Sequence, residues 1–161
     1  MKFTDQDIAE VLRLLAETPR RIAAATSVIA PEQLQIKAGA DRWSVNEILA
    51  HLRACVDVWV GTIDRMLTEE QPTLRHVSPR TYLRKTDYPA LSFAESWAIF
   101  VAERAALLEK LQPLSMTTWS RSATIKDRQH TVFSQARRMA LHEAGHCAQI
   151  EEYTATRELA N

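Results

Sequence analysis

The chain has 161 residues, with 20 Lys plus Arg, 20 Asp plus Glu and no net charge at pH 7. This length suits one hydrophobic core, so we expect a single domain over residues 1–161. A neutral chain generates no global field that attracts nucleic acid or an anionic membrane, and neither kind of partner is expected.

The N-terminal residues and the cysteines indicate the compartment. Lys2 is followed by the acid Asp5 rather than by an apolar run, which is unlike a signal peptide. The longest uncharged run, residues 22–31, is far shorter than the ~20 apolar residues of a membrane span. Cys55 and Cys147 are too few for a secreted disulfide framework. We therefore expect a soluble, cytoplasmic protein.

The first predicted helix begins after Thr4, whose hydroxyl is suited to cap the first turn. Apolar residues then recur at helical spacing, at Ile8, Val11, Leu12 and Leu15. Pro19 interrupts the pattern, and we favour a kink there over the start of a separate short helix. Residues 31–41 are predicted to form a surface connection in which Gly39 adopts positive φ.

The second helix has the clearest start in the chain. Ser44 and Glu47 are spaced as a capping box, in which each side chain bonds the backbone N–H of the other residue. An apolar stripe follows in steps of three and four residues: Ile48, Leu52, Cys55, Trp59, Ile63 and Met66. His51 lies beside this stripe and can face the core.

A long connection, residues 73–91, follows the second helix and contains a basic cluster. It is too long for a tight turn, so the second and third helices need not be antiparallel neighbours. By default its cations face solvent: Arg75, Arg80, Arg84 and Lys85. If they overhang a site, they can instead bind carboxylates of a substrate or cosubstrate.

The third helix begins at another Ser-x-x-Glu box, Ser92 and Glu95, and stops before Pro113. Residues 114–131 are predicted to be a loop, because they show no clear strand pattern. The fourth helix runs from about Val132 to Glu158. Four helices with one apolar face each, joined by one long crossover between helices two and three, predict an all-α four-helix bundle.

The fourth helix carries two candidate metal ligands. His142 and His146 are four residues apart and therefore lie one turn above each other on one helix face. The same face carries Met139, Ile150 and Tyr153, so it is predicted to look inward. A metal ion held by this pair would lie in the core, between helices.

A third ligand must come from elsewhere in the chain. The candidates are His51, His76, His130, Cys55, Cys147 and Glu143. His76 and His130 fall in connections, and Cys147 points to one side of His146 on the helical wheel. We choose His51, because it lies at the edge of the buried face of a strongly capped helix. The resulting three-histidine site has open coordination positions and suits Zn²⁺, Ni²⁺ or Fe²⁺ without selecting among them.

Structural roles are the alternative for each of these residues. A buried histidine is commonly a core residue with satisfied hydrogen bonds, and Cys55 and Cys147 are suited to fill small apolar spaces. Gln149 follows His146 by three residues and shares its face. It either bonds a ligand histidine or a bound water, or lies at a seam between helices.

His142-Glu143-Ala-Gly-His146 also matches H-E-x-x-H, in which two histidines bind zinc and the glutamate is the general base of a peptidase. The chain lacks the third histidine that metzincins carry shortly afterwards. Only Glu158 lies far enough downstream for the other common zincin arrangement. No sheet that could align a peptide is visible upstream, so a zincin-type peptidase is the minor alternative.

Four blocks of sequence resemble the DinB/YfiT-like family, and together they span essentially the whole chain. They are residues 42–52 (Arg-Trp-Ser-Val-Asn-Glu-Ile-Leu-Ala-His-Leu), residues 78–80 (Ser-Pro-Arg), residues 119–121 (Trp-Ser-Arg) and His142-Glu-x-x-His146-x-x-Gln149-Ile150. The most specific parts are W-S-x-x-E-x-x-x-H-L and H-x-x-x-H-x-x-Q-I. The resemblance implies a four-helix bundle of up-down-down-up topology, often a homodimer, that binds a divalent metal through His51, His142 and His146.

The resemblance also implies a class of chemistry. Family members of known activity are similar to metal-dependent transferases and isomerases that use low-molecular-weight thiols. We expect an enzyme whose metal lowers the pKa of a bound water or thiol, with thiol transfer to a small electrophile as the first expectation and hydrolysis as the second. Glu143 receives no catalytic role here and is expected behind the ligands or on the surface. The alternative is a non-catalytic, stress-related protein that binds metal and interacts with partners.

Overall fold

Three of the four long helices begin at side-chain caps that the sequence predicts. The computed structural model describes residues 2–158. Thr4, Ser44 and Ser92 each form a capping box with the acid three residues on. These caps open three long helices: α1 (Asp5–Thr26), α2 (Val45–Thr68) and α4 (Phe93–Leu111). The fourth is α6 (Val132–Glu158), and two short helices lie between them, α3 (Pro79–Leu83) and α5 (Met116–Trp119).

Pro19 lies inside a continuous helix. Because α1 runs without a break from Asp5 to Thr26, no separate helix starts at Pro19. The neighbouring Thr18 is buried, and its hydroxyl donates to the carbonyl oxygen of Leu14 at 3.2 Å. Pro19 has no backbone N–H, so α1 lacks one intrahelical hydrogen bond at this position and nevertheless continues. In the same turn, the polar side chain of Thr18 faces the core.

The connection after α1 differs from the prediction at Gly39. Residues Pro31–Gln35 form a 3₁₀ helix that buries Leu34. The predicted positive φ at Gly39 is wrong, because no described glycine has positive φ. The N–H of Arg42 donates to the carbonyl oxygen of Gly39 at 3.1 Å, so Gly39 is the first residue of a turn, where no left-handed conformation is required.

A small sheet corrects the all-α prediction. Three short strands pair in the order β1 (Thr73–Leu74), β2 (Ser122–Ile125) and β3 (Arg128–Thr131). Strands β1 and β2 are parallel, and β2 and β3 form an antiparallel hairpin. The sequence concealed the hairpin because its strands are mostly polar, and its turn uses Lys126 and Asp127 at positive φ in place of the usual Asn-Gly or Asp-Gly. The structure is thus mostly helical with one three-stranded sheet.

The long helices pack in a ring in which α6 contacts α1 and α2, and α4 contacts α1 and α2. Near the start of both α1 and α6, Phe3 stacks on Phe133 with ring centroids 4.2 Å apart. Further along, Arg21 bonds Glu151 at 2.7 Å. The core side chains lie between these helices, including Leu15, Ile22, Leu49, Leu52, Ile63, Phe100, Leu107 and Met139. Within residues 2–158, no helix is long and apolar enough to cross a membrane.

Candidate metal centre

His142 and His146 face the same space from consecutive turns of α6. Their ring centroids are 4.6 Å apart, and their Nε2 atoms are 3.1 Å apart. The predicted inward face is confirmed, because Met139, Ile150 and Tyr153 are all buried. These buried side chains fix the face of α6 that carries both imidazoles against the core.

His51 reaches the same space from α2. The Ser44 capping box fixes the start of α2 seven residues earlier, and His51 is 4% exposed. Its Nε2 atom lies 3.0 Å from Nε2 of His142. One ligand atom from each of His51, His142 and His146 lies within 4.8 Å of the other two. The structure thus brings together the three histidines selected from the sequence.

The three imidazoles are neutral at pH 7. Burial, followed by the neighbouring histidines, lowers the pKa of His51 to about 4. Burial, then His146 and Arg138, lowers the pKa of His142 to about 4. Burial also lowers the pKa of His146, although Gln149 acts in the opposite direction. Each ring therefore has one nitrogen with a free lone pair, which is the form that binds metal.

Gln149 determines which nitrogen of His146 carries the proton. The two side chains meet at 2.8 Å between Nδ1 of His146 and Oε1 of Gln149. Because an amide oxygen only accepts, Nδ1 of His146 donates and its Nε2 atom keeps the lone pair. The lone pair of Nε2 therefore points to the space shared with His142. This is the arrangement in which a hydrogen bond behind a ligand histidine sets its tautomer.

The donor set fits a divalent transition metal. Nε2 of His142 is 3.0 Å and 3.1 Å from the other two Nε2 atoms, too close for three lone pairs to coexist without a proton or a cation between them. Three nitrogens bound at about 2.0–2.1 Å in tetrahedral geometry lie roughly 3.3–3.4 Å apart, which is near the spacing here. Imidazole nitrogens suit Zn²⁺, Ni²⁺ and Fe²⁺ alike.

Two tryptophans pack against the three histidines. The ring centroid of Trp59 is 5.2 Å from that of His142 in an edge-to-face arrangement. The ring of Trp43 is 5.0 Å from that of His51 and is stacked 6.2 Å from that of His146. These apolar surfaces restrict the approach of water and hold the imidazole rings in place.

Two cavities adjoin the site. The first, the basic groove, has a volume of about 820 Å³ and is bounded by α2, β1, the β2–β3 turn and α6. It includes Trp59 and Arg138 beside His142. The second, the Trp43 pocket, has a volume of about 420 Å³ and is lined by Ala38, Asp41, Arg42, Trp43, Ile48, Arg80, His146, Gln149, Glu152, Tyr153 and Thr156.

One member of the predicted basic cluster overhangs the histidines. The Arg80 guanidinium lies 5.3 Å from the ring centroid of Trp43, in the pocket that His146 lines. Its charge contributes to the lowered pKa values of all three histidines. Arg84 and Lys85 are exposed and line neither cavity. Of the predicted basic cluster, Arg80 therefore lies above the site, as the alternative to a solvent-facing cluster predicted.

Among residues 2–158, none of the other candidates for the third ligand joins the group formed by His51, His142 and His146. His76 and His130 line the basic groove. Cys55 is adjacent to the site, with Sγ 3.5 Å from Nε2 of His51, and burial raises its pKa to about 12 in the absence of a metal ion. Sγ of Cys147 faces α1, 3.9 Å from the carbonyl oxygen of Thr18.

Glu143 is buried and does not face the three histidines. Its carboxylate lies 2.5 Å from the Arg104 guanidinium and accepts a hydrogen bond from the Thr18 hydroxyl at 3.1 Å. Burial raises the pKa of Glu143, and Arg104 opposes this effect. Of the two positions expected for Glu143, the surface is wrong because the side chain is buried, and its hydrogen-bond partners are Thr18 and Arg104 rather than a ligand histidine. A general base of the H-E-x-x-H type would have to face the open side of the metal, whereas Glu143 faces α1 and α4.

Trp59 and Arg138 are neighbours of the site that were not predicted from the sequence. Arg138 lies one turn before His142 on α6, and its guanidinium is 5.1 Å from the ring centroid of Trp59. The spacing of four residues between Arg138 and His142 was the available signal, because it places both on one helix face.

Comparison with known proteins identifies the family and the fold. A family model described as the DinB superfamily matches residues 14–150. The structure of YfiT from Bacillus subtilis, described as a probable metal-dependent hydrolase with an unusual four-helix bundle topology, is similar with a TM-score of 0.84. The similarity covers 98% of this chain and 91% of that chain at 19% sequence identity, and it concerns the fold. The search of curated proteins gave no match.

Proposed function

Since this chain belongs to the DinB superfamily, we propose that it is a metal-dependent enzyme acting on a small molecule, with His51, His142 and His146 as the metal ligands. The observation that carries the proposal is the convergence of the three Nε2 atoms, each on a neutral imidazole.

The residues around the proposed metal ion have different roles. A bound divalent ion supplies a Lewis acid that lowers the pKa of a coordinated water or thiol. Gln149 holds the tautomer of His146 through the contact at 2.8 Å. Trp43 and Trp59 exclude water from two sides of the imidazoles. Arg80 adds positive charge above the Trp43 pocket, where it can stabilise an anionic nucleophile or leaving group.

Thiol transfer to a small electrophile is our first proposal for the reaction. It needs two substrates, and two cavities flank the histidines: the basic groove contains Trp59, which packs on His142, and the Trp43 pocket is lined by His146. Hydrolysis is the second candidate. It is favoured by the description of YfiT, a protein of similar fold, as a probable metal-dependent hydrolase.

An assay with and without thiol separates the two reactions. The untagged protein, loaded with Zn²⁺, Ni²⁺ or Fe²⁺, is incubated with a panel of small esters, epoxides and alkyl halides. A rate that requires added thiol and disappears in His142→Ala supports transfer, and a thiol-independent rate lost in the same variant supports hydrolysis. No turnover across the panel, with metal still bound, would instead favour the non-catalytic metal-binding protein.

We also propose the up-down-down-up order for α1, α2, α4 and α6. Phe3 with Phe133 and Arg21 with Glu151 support a parallel α1 and α6. Asn46 with Leu91 and Asp64 with Lys110 support a parallel α2 and α4. Two contacts support an antiparallel α2 and α6. Trp43, just before α2, contacts His146, whereas Trp59, later in α2, contacts Arg138, which is earlier in α6. Homodimer formation and a cytoplasmic location remain predictions from the sequence.

A further inference from the structure

The basic groove carries an excess of positive charge. Its lining contains five Lys or Arg side chains against one carboxylate, that of Asp57; the cations are Arg65, Arg75, Lys126, Arg128 and Arg138. Arg65 is paired with Glu69. The carboxylate of Asp57 accepts a hydrogen bond from the Tyr88 hydroxyl at 2.6 Å. Among residues 2–158, no ion pair involves any of the other four cations.

These four cations come from separate parts of the chain. Arg75 follows β1, Lys126 and Arg128 belong to the β2–β3 hairpin, and Arg138 lies on α6. The hairpin holds its position because the N–H of Thr124 donates to the carbonyl oxygen of Pro72 at 2.9 Å. All four side chains are exposed, and the fold places them around one cavity, where an anion with several charges can contact more than one of them.

Two histidines that line the groove have lowered pKa values. Burial, then Lys126 and Arg138, lowers the pKa of His76. Burial, then Arg138 and Arg128, lowers the pKa of His130. Burial is the larger cause for both histidines, and the cations of the groove add to it.

Trp59 lines the groove and also packs against the three-histidine site. This ring is within 5.1 Å of the Arg138 guanidinium and within 5.2 Å of the His142 ring, measured from ring centroids. A molecule bound at Arg138 therefore lies one helical turn from His142. The volume of about 820 Å³ is in the range of cavities that hold small-molecule ligands.

We propose that the basic groove binds the anionic part of the substrate or cosubstrate, a small molecule with at least two carboxylate or phosphate groups. Arg128 and Arg138 supply planar guanidinium groups that bond such oxygens in pairs, and Lys126 adds a point charge. The uncharged end of the molecule extends past Trp59 toward the histidines. This last statement rests on the proposed function, whereas anion binding by the groove does not.

Calorimetric titration of the metal-free, full-length protein tests the proposal. Tricarballylate is the tricarboxylate probe, its trimethyl ester is the uncharged control, and inorganic phosphate is the second anion. We expect one tricarballylate to bind per chain, with affinity about tenfold lower in Arg138→Gln and in Arg128→Gln. Arg84→Gln, which removes the same charge outside the groove, should bind as the wild type does.

The outcomes distinguish this proposal from the metal site. Tricarballylate binding that survives in His142→Ala supports a groove that binds anions independently of metal. Competition by phosphate extends the ligand class to phosphorylated molecules, and its absence restricts the class to carboxylates. Equal binding of the trimethyl ester, or unchanged affinity in folded Arg138→Gln and Arg128→Gln, overturns the proposal. Loss of the metal alone, with anion binding kept, would overturn only the proposed function.

Discussion

The carboxylate of Glu143 lies 2.5 Å from the guanidinium of Arg104, and both side chains are buried. Glu143 is adjacent in sequence to His142, yet it faces α1 and α4 while His142 faces α2. The difference follows from the 100° rotation between successive helical residues. The same stretch of α6 therefore contributes imidazoles to the candidate metal centre and an ion pair to the core.

Replacing Glu143 by Gln should destabilise the fold without removing the metal. The substitution leaves the Arg104 cation buried without its partner, which typically costs about 3–5 kcal/mol. Urea denaturation measures this loss in the free energy of unfolding, and metal analysis of the folded variant should match the wild type. The double variant Glu143→Leu with Arg104→Met removes both charges and should recover most of the stability. A fully stable Glu143→Gln that binds metal but has lost proteolytic activity would contradict this account and favour the peptidase.

Removing the Gln149 amide should weaken metal binding. Without its acceptor, His146 is free to carry its proton on Nε2, where it competes with the metal. Such groups behind ligand histidines are typically worth about 10–100-fold in metal affinity. Chelator competition on Gln149→Ala should show this loss, and Gln149→Glu, which keeps an acceptor oxygen, should retain the affinity. Equal affinities for wild type and Gln149→Ala would show that Gln149 has no part in the site.

The metal-free protein should lose stability as the pH falls from 6.5 to 5. The pKa of His51 is about 4 in the folded state and near 6.5 in the unfolded state. In this window the unfolded state binds a proton at His51 that the folded state does not bind. The free energy of unfolding therefore falls by about 1.5 kcal/mol between pH 6.5 and pH 5. His142 acts in the same direction. Carboxylates with lowered pKa values lose their contribution below their ordinary values near 4, which is outside this window.

Urea denaturation with a chelator present, at pH 6.5 and pH 5, measures this pH dependence. His51→Asn removes the titrating ring and should reduce the difference between the two pH values. A difference between the two pH values that is as large in His51→Asn as in the wild type would show that the His51 imidazole is not held neutral.

The helical frame and the histidine cluster were predictable because their signals are local. Capping boxes at Ser44 and Ser92 need only three-residue spacing, and they mark the starts of α2 and α4 correctly. The pair His142 and His146 needs only the helical repeat. His51 required one non-local step, the assumption that two inward-facing helix surfaces meet, and the contact at 3.0 Å meets that expectation.

The sheet, the Arg104–Glu143 pair and the basic groove depend on contacts between distant polar residues. The strand β3 is Arg-Gln-His-Thr and has no apolar alternation to reveal it. Arg104 did leave a signal, because it stands in a stripe with Phe100, Leu107 and Leu111 where a cation needs a buried partner. The sequence could not identify Glu143 as that partner, since Glu143 also fits the H-E-x-x-H pattern.

Metal content of the untagged protein, measured by elemental mass spectrometry beside His51→Ala, tests the central claim most directly. His76→Ala is the matched control, because His76 is an exposed histidine away from the three Nε2 atoms. We predict close to one equivalent of a transition metal in the wild type and in His76→Ala, and its near-complete loss in folded His51→Ala. Metal retained in His51→Ala at the wild-type level, or no metal in the wild type after reconstitution with Zn²⁺, Ni²⁺ and Fe²⁺, would contradict the three-histidine centre.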